Sequence, residues 1–149
     1  MTPLKYSDET VCALLDCLIP GEASSGWPAA GQMGLGNRFI ELMRLLHRDG
    51  DQLLQSLFNV LPDDFADATA ETQVACLAAI EKTCPTIFDA TLKACYSAYY
   101  TNPEVREIIE AKTGYEARPP QPQGYPLEPF DESLLDPVRA RGPIWRPVP

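Results

Sequence analysis

The segment from Pro85 to Tyr100 constrains the fold of this chain more than any other stretch. At about 100° per residue, its apolar side chains form two neighbouring stripes on one helix, and both stripes are expected to be buried. Pro85 is typical of a first helical turn, and Asn102-Pro103 ends the helix. Such a wide apolar arc predicts packing against two neighbouring helices, in the core of an all-α domain. The larger stripe comprises Phe88, Leu92, Cys95 and Tyr99, and the stripe of small side chains comprises Thr91, Ala94 and Ala98.

Five further segments repeat apolar residues at helical spacing, and no run alternates as a half-buried strand does. The predicted fold class is therefore all-α, a compact bundle of about six helices. Ser7 and Thr69 are predicted N-caps, and Gly114 is predicted to close the last helix. The predicted inward positions are Val11, Leu14, Leu15, Leu18 and Ile19; Leu35, Phe39, Leu42, Met43 and Leu46; Leu53, Leu54, Leu57 and Phe58; Val74, Leu77, Ala78 and Ile80; and Val105, Ile108 and Ile109.

Residues 21–34 are predicted to form a loop because they are rich in glycine, serine and alanine. Trp27 is the one large apolar side chain in this loop, and a plug folded back on the core is the favoured interpretation. An anchor that faces a partner protein is the alternative. Gly31, Gly34 and Gly36 have the composition of a phosphate-binding loop, but their order is G-x-x-G-x-G and no strand precedes them. Flexibility at the entry to the next helix is the better interpretation.

The composition changes at Arg118, which predicts a helical domain over 1–117 and an extended, Pro-rich C-terminal arm over 118–149. Nine of the last 31 residues are proline, which excludes long helices and favours an extended, polyproline-like path. The arm also has too many large apolar side chains for a solvated linker. It is therefore expected to lie along this protein's own helices or along another protein. These side chains are Tyr125, Leu127, Phe130, Leu134, Leu135, Val138, Ile144 and Trp145.

The charge and composition of the chain limit the classes of partner that it can bind. The formal net charge of −9 argues against nucleic acid, whose phosphates are neutralised by clustered Lys and Arg, and against contact with anionic membranes. Hydrophobic residues at 45% and charged residues at 22% are typical of a soluble globular protein. No segment approaches 18 uninterrupted apolar residues, so no membrane span is predicted.

The chain has few residues of the types that usually catalyse reactions or bind metals. His47 is the one histidine, which excludes a multi-His metal site, and a cationic side chain at a helix end is the favoured interpretation. The five cysteines have no metal-binding spacing and are interpreted as free thiols, as in a reducing cytosol. No catalytic, cofactor-binding or metal-binding residue is therefore predicted on this chain. A small thiol redox enzyme would need an exposed cysteine of low pKa.

Five short motifs follow one another in a particular order over roughly residues 8–126. Leu18-Ile19-Pro20-Gly21 closes the first helix, and Trp27-Pro28-Ala29-Ala30 precedes the second. Thr69-Ala70-Glu71-Thr72-Gln73, the junction Tyr99-Tyr100-Thr101-Asn102-Pro103-Glu104-Val105 and the turn Gly124-Tyr125-Pro126 come after them. In this order they resemble the gluconate 2-dehydrogenase subunit 3 family.

The resemblance implies a small, non-catalytic accessory subunit of a heteromeric FAD-dependent oxidoreductase that acts on sugars, sugar acids or alcohols. FAD and the catalytic histidine would lie on a large partner subunit of the glucose-methanol-choline oxidoreductase type, and a cytochrome c subunit is often the third member. No cofactor or catalytic residue carries over to this chain. The sequence lacks the twin-Arg leader of many members, which counts against a cytochrome c partner. A cytoplasmic complex is therefore expected, with a periplasmic one the alternative if the chain is already processed.

The predicted partner-binding residues are Trp27, Phe130, Leu134, Ile144, Trp145 and Arg146. Ile144-Trp145-Arg146 lies between prolines that block a helix, and Trp and Arg are enriched among interface hot spots. We predict that Trp145 and Arg146 dock on the flavin subunit, with Phe130 and Leu134 bridging the gap. The alternative function, from a different class, is a free-standing helical adaptor or interaction protein without an enzyme partner.

Overall fold

The computed structural model describes residues 6–115 and 128–142, and the all-α prediction is confirmed there. These ranges contain an isolated bridge between Glu22 and Trp27 and no β-strand. Single turns of 3-10 helix occur at Gly31–Met33, Phe65–Asp67 and Glu132–Leu135. The α-helices are α1 (Asp8–Leu18), α2 (Gly36–Leu46), α3 (Gly50–Val60), α4 (Ala70–Thr83), α5 (Pro85–Tyr100), α6 (Pro103–Thr113) and α7 (Asp136–Ala140).

The chain divides into two compact units, 1–117 and 118–149. Helices α1 to α6 belong to the first unit and α7 belongs to the second. The first unit holds the buried core, which draws side chains from all six of its helices.

The predicted helix caps are confirmed. The Ser7 side chain accepts a hydrogen bond from the backbone N–H of Thr10 at 3.1 Å, at the start of α1. Thr69 Oγ1 accepts one from the N–H of Thr72 at 3.3 Å, at the start of α4. Gly114 ends α6 with a φ of 70°, a left-handed conformation that costs glycine little. Local sequence therefore determines where these helices begin and end.

Helix α5 lies at the centre of the first unit. It contacts all five other helices of that unit, so the prediction that it packs against two neighbours is wrong. Its buried positions include Ala90, Thr91, Ala94 and Ala98, which form one nearly continuous small-residue face. Side chains this short let neighbouring backbones approach closely, which gives α5 room for more partners than its large apolar residues alone would allow.

The larger predicted stripe on α5 is only partly correct. Cys95 and Tyr99 are buried and Phe88 packs partly against the core, but Leu92 is only half-buried and does not join the core. The close helix contacts form over the small residues, so the buried face is rotated away from Leu92. On the solvent side, the predicted ion pair is confirmed, with Lys93 Nζ 2.6 Å from Asp89 Oδ2.

Two other predicted core positions are wrong. Leu46 is the last residue of α2 and is 48% exposed, since the chain turns into α3 directly after it. Val74 is 57% exposed. The buried face of α4 is centred between Leu77 and Ile80, and Val74 lies about 90° round the helix from that centre.

In the second unit, the prediction of an extended, polyproline-like path is wrong for residues 132–140. These residues form the Glu132–Leu135 turn followed by α7. The Asp131 side chain caps the turn by accepting the N–H of Ser133 at 3.0 Å. Pro137 occupies the first turn of α7, where its missing N–H leaves no hydrogen bond unmade. Proline therefore limits the length of this helix without excluding it.

Candidate partner-binding surfaces

Trp27 ends a tight turn between α1 and α2. The turn is closed by two backbone hydrogen bonds, from the Glu22 N–H to the Trp27 carbonyl at 2.8 Å and from the Trp27 N–H to the Glu22 carbonyl at 3.1 Å. Gly26 supplies the positive φ of 74° that the turn requires. The chain can therefore fold back and present the Trp27 side chain to the helices.

The Trp27 indole is half-buried and packs against the core, as the plug interpretation predicts. Lys112 Nζ of α6 lies 6.0 Å from the ring centroid, at the outer limit of a cation–π contact. The next residue, Pro28, accepts a hydrogen bond at 2.8 Å from the Tyr99 hydroxyl of α5. These contacts hold the loop to α5 and α6, and the role of Trp27 as a partner anchor stays a prediction.

Tyr96 and Tyr100 form an exposed aromatic pair on α5, which we call the tyrosine patch. Their rings meet edge to face at 6.0 Å, and the Tyr100 ring meets that of buried Tyr99 at 5.2 Å. Tyr96 is 44% and Tyr100 is 50% exposed. Tyrosine supplies large contact area with little conformational freedom to lose, which makes this patch a good interface anchor. Sequence analysis missed it, although the i,i+4 spacing of the two tyrosines outside both predicted stripes was the signal.

The second unit carries large exposed apolar side chains of its own. Phe130, Leu134 and Val138 are spaced four residues apart and are 63%, 66% and 60% exposed. We call these three side chains the arm face. Its polar contacts lie elsewhere: Arg139 pairs with Glu132 at 3.2 Å and more loosely with Asp136 at 3.7 Å. Of the six predicted partner-binding residues, Ile144, Trp145 and Arg146 lie outside the described residues.

The carboxylates with shifted pKa values have local causes. Backbone and side-chain hydrogen bonds in the first turns of α1 and α4 lower the pKa of Glu9 and of Glu71. Hydrogen bonds from Ser133 lower the pKa of Asp131. All three are exposed groups beside orphan N–H donors at a helix start, where a carboxylate accepts hydrogen bonds and complements the helix dipole.

The cysteine thiols have raised pKa values, whereas the pKa values of these carboxylates are lowered. Burial raises the pKa of Cys95 to about 12, and burial is also the main cause of the raised pKa of Cys12, Cys17 and Cys76. A thiol nucleophile works as the thiolate and needs a lowered pKa. These four cysteines therefore do not fit the thiol redox enzyme considered above.

Alkylation of the native protein with iodoacetamide is expected to modify Cys95 last among these four cysteines. Cys95 is 1% exposed and burial raises its pKa to about 12, so both its access to reagent and its thiolate fraction are very low. Mass spectrometry of timed samples at pH 8 measures the rates, with urea-unfolded protein as the control in which the four rates converge. Rapid modification of Cys95 in the folded protein would show that its helix opens readily.

A groove of about 490 Å³ is lined by the turn between α2 and α3, including Arg44, His47 and Arg48. His47 Nε2 is buried there without a hydrogen-bond partner.

Over residues 6–115 and 128–142, no three His, Cys, Asp or Glu side chains are grouped to hold a metal ion. In the same ranges no helix has the length and apolar character needed to cross a membrane.

The fold and its surfaces define an all-α protein that presents exposed aromatic and aliphatic side chains on both units. Comparisons of the chain with protein-family models, with curated proteins and with solved structures find no match.

Proposed function

We propose that this chain is the non-catalytic accessory subunit of a heteromeric FAD-dependent oxidoreductase of sugars or alcohols. Its partner is a large catalytic subunit of the glucose-methanol-choline type, which carries FAD. The observation that carries the proposal is the ordered set of five motifs that resembles the gluconate 2-dehydrogenase subunit 3 family. In this role the chain stabilises or assembles the flavin subunit.

The motifs within the described residues occupy the joints of the helical unit. Gly21 and Ala29 lie so close that a Cβ on Gly21 would be 2.8 Å from the Ala29 nitrogen. Thr69 caps α4, and Asn102 caps α6 by accepting the Glu104 N–H at 2.9 Å. Motifs at such joints help to set where these helices begin and how closely the loop approaches itself.

The exposed apolar side chains support a binding role. The tyrosine patch and the arm face expose five large side chains between them, each between 44% and 66% exposed. A partner surface that covers these side chains would remove apolar area from water, which stabilises the complex by about 25 cal/mol per Å². An accessory subunit needs such a surface, because a partner that binds only the folded flavin subunit stabilises it by mass action.

Co-expression with a candidate flavin subunit encoded beside this chain tests the proposal. We expect a stable complex whose flavin absorbance follows this chain through size-exclusion chromatography, and a lower yield of the flavin subunit when this chain is omitted. The chain purified alone is expected to bind no FAD. Stoichiometric FAD on the isolated chain would contradict the proposal, and a chain that never associates with a flavoprotein would favour the free-standing adaptor.

Truncation after Pro129 is expected to weaken association with the flavin subunit by more than about tenfold, or 1.4 kcal/mol. It removes Phe130, Leu134 and the Trp145-Arg146 segment, while the core of α1 to α6 stays intact. Circular dichroism and the melting temperature of the truncated chain should therefore remain nearly unchanged.

The matched control for the truncation is full-length protein with Phe130→Ser and Leu134→Ser, which keeps the chain length but loses two apolar anchors. If the arm face contacts the flavin subunit, both the truncated chain and the doubly substituted chain should bind that subunit more weakly. Unfolding of the truncated chain would instead mean that the arm belongs to this protein's own core. Unchanged binding would mean that the arm is dispensable.

A further inference from the structure

Helices α1 and α4 each carry a half-buried cysteine that packs against the core, Cys17 and Cys76. The two helices pack against each other in the first unit. Cys17 follows buried Leu14 by three residues on α1, and Cys76 directly precedes buried Leu77 on α4. Both cysteines pack against the same core, and both are free thiols.

The orientation of α4 brings Cys76 to the side that faces α1. Gln73, one turn before Cys76, donates a hydrogen bond at 2.8 Å to the carbonyl of Phe65. The Phe65–Asp67 turn in turn packs on α1. On a helix, residues three apart lie about 60° from each other, so Cys76 projects from nearly the same face as Gln73.

Electrostatics agrees with this placement. The pKa of Cys17 is raised first by burial and then by the negative charge of the Cys76 thiolate. The charges that raise the pKa of Cys12 come instead from Asp16, Asp8 and Glu9. A thiolate that raises the pKa of a thiol on another helix lies close to it in space.

The helix geometry permits a covalent bond at this contact. Packed helix axes lie about 8–10 Å apart, and each Cα lies about 2.3 Å from its own axis. Facing Cα atoms therefore approach to within the roughly 4.4–6.8 Å that a disulfide spans.

We propose that Cys17 and Cys76 are a disulfide-forming pair that covalently joins α1 to α4 when the protein meets a small-molecule disulfide such as oxidised glutathione. The thiolate of one cysteine attacks the oxidant and releases one reduced glutathione. The second thiolate then displaces the second glutathione. Both protein thiols lose their protons and two electrons in total, and one oxidised glutathione becomes two reduced molecules. This site does not depend on the proposed flavin partner.

The proposal predicts a rate that depends on pH. Because both thiols have raised pKa values, little thiolate is present at neutral pH and the reaction is slow there. The thiolate fraction increases about tenfold per pH unit below the pKa. Oxidation should therefore accelerate steeply from pH 7 to pH 9. The bond would close a loop of roughly 60 residues, and a cross-link of that length should raise the melting temperature by at least about 5 °C.

The test uses the full-length protein with oxidised glutathione at pH 9, followed by peptide mapping without reductant. We expect a linked peptide pair that contains Cys17 and Cys76, together with the rise in melting temperature, and reversal of both by dithiothreitol. Cys12→Ser should behave like the unmodified protein because it leaves the pair intact. Cys17→Ser and Cys76→Ser should each abolish the linked peptide.

Three results would overturn the proposal. One is glutathione left attached to Cys17 or Cys76 without a cross-link. Another is a disulfide between a different pair of cysteines. The third is both thiols remaining reduced after a day at pH 9. Because the first measurement uses the unmodified sequence, none of these results depends on whether a variant folds.

Discussion

Leu54→Ala is expected to lower the free energy of unfolding by about 2–5 kcal/mol. Leu54 lies on α3 and is fully buried. Helix α3 packs against both α2 and α5, so the removed atoms leave a cavity between elements that α5 already holds in place. A core anchored from several sides can collapse only partly into such a cavity, which adds to the lost transfer free energy. Urea denaturation followed by circular dichroism measures the change.

The same substitution at two other positions provides the control. Leu45 on α2 is 70% exposed, so Leu45→Ala should change the unfolding free energy by less than about 0.5 kcal/mol. Leu92→Ala, at a half-buried position of α5, should fall between the two. A loss at Leu92 equal to that at Leu54 would mean that the larger stripe predicted from the sequence is the true buried face of α5.

Gly31→Ala is expected to destabilise the protein by about 3 kcal/mol. A Cβ at this position would lie 2.2 Å from the Cys12 carbonyl oxygen and 2.8 Å from the Asp16 carboxylate. The Gly31 N–H also donates to Asp16 Oδ1 at 2.7 Å, so the loop cannot move away from α1 without losing that charge-assisted hydrogen bond. Thermal and urea unfolding measure the loss.

Gly36→Ala is the matched control, five residues further along the same glycine-rich segment. A Cβ there would meet Val11 Cγ1 at 3.3 Å, and Gly36 begins α2, where alanine favours the helix. We expect a change within about 1 kcal/mol. Equal losses at Gly31 and Gly36 would contradict the assignment of the larger loss to the close approach of Gly31 to Cys12 and Asp16.

The glycine-rich loop shows what the sequence could and could not predict about the backbone. The pattern of Gly31, Gly34 and Gly36 favoured flexibility at the helix entry over a phosphate-binding loop, and the structure gives each glycine a particular backbone role. Gly31 permits close approach, Gly34 adopts a φ of 66°, and Gly36 starts α2. Flexibility, the reason predicted from the sequence, accounts for none of these contacts.

The candidate partner-binding surfaces also differ in how much of them the sequence predicted. The packing of Trp27 on the core was predictable because a single large apolar side chain in a polar loop has few other places to go. The tyrosine patch was not predicted, because its exposure depends on which face of α5 the other five helices cover. Exposure of Phe130 and Leu134 fits a partner-binding role, and that role stays a prediction.

The sequence by itself determined the six helices of the first unit, although it did not predict α7 in the second. Capping side chains at Ser7 and Thr69, the left-handed Gly114 and the helical spacing of apolar residues act over four residues or fewer, so they can be read locally. Only the tertiary structure decided which faces are buried. Leu92, Leu46 and Val74 have the right spacing, yet Leu46 and Val74 are exposed and Leu92 is only half-buried, because the helices contact one another on other faces. Burial depends on contacts between residues distant in sequence, which the periodicity of one helix does not contain.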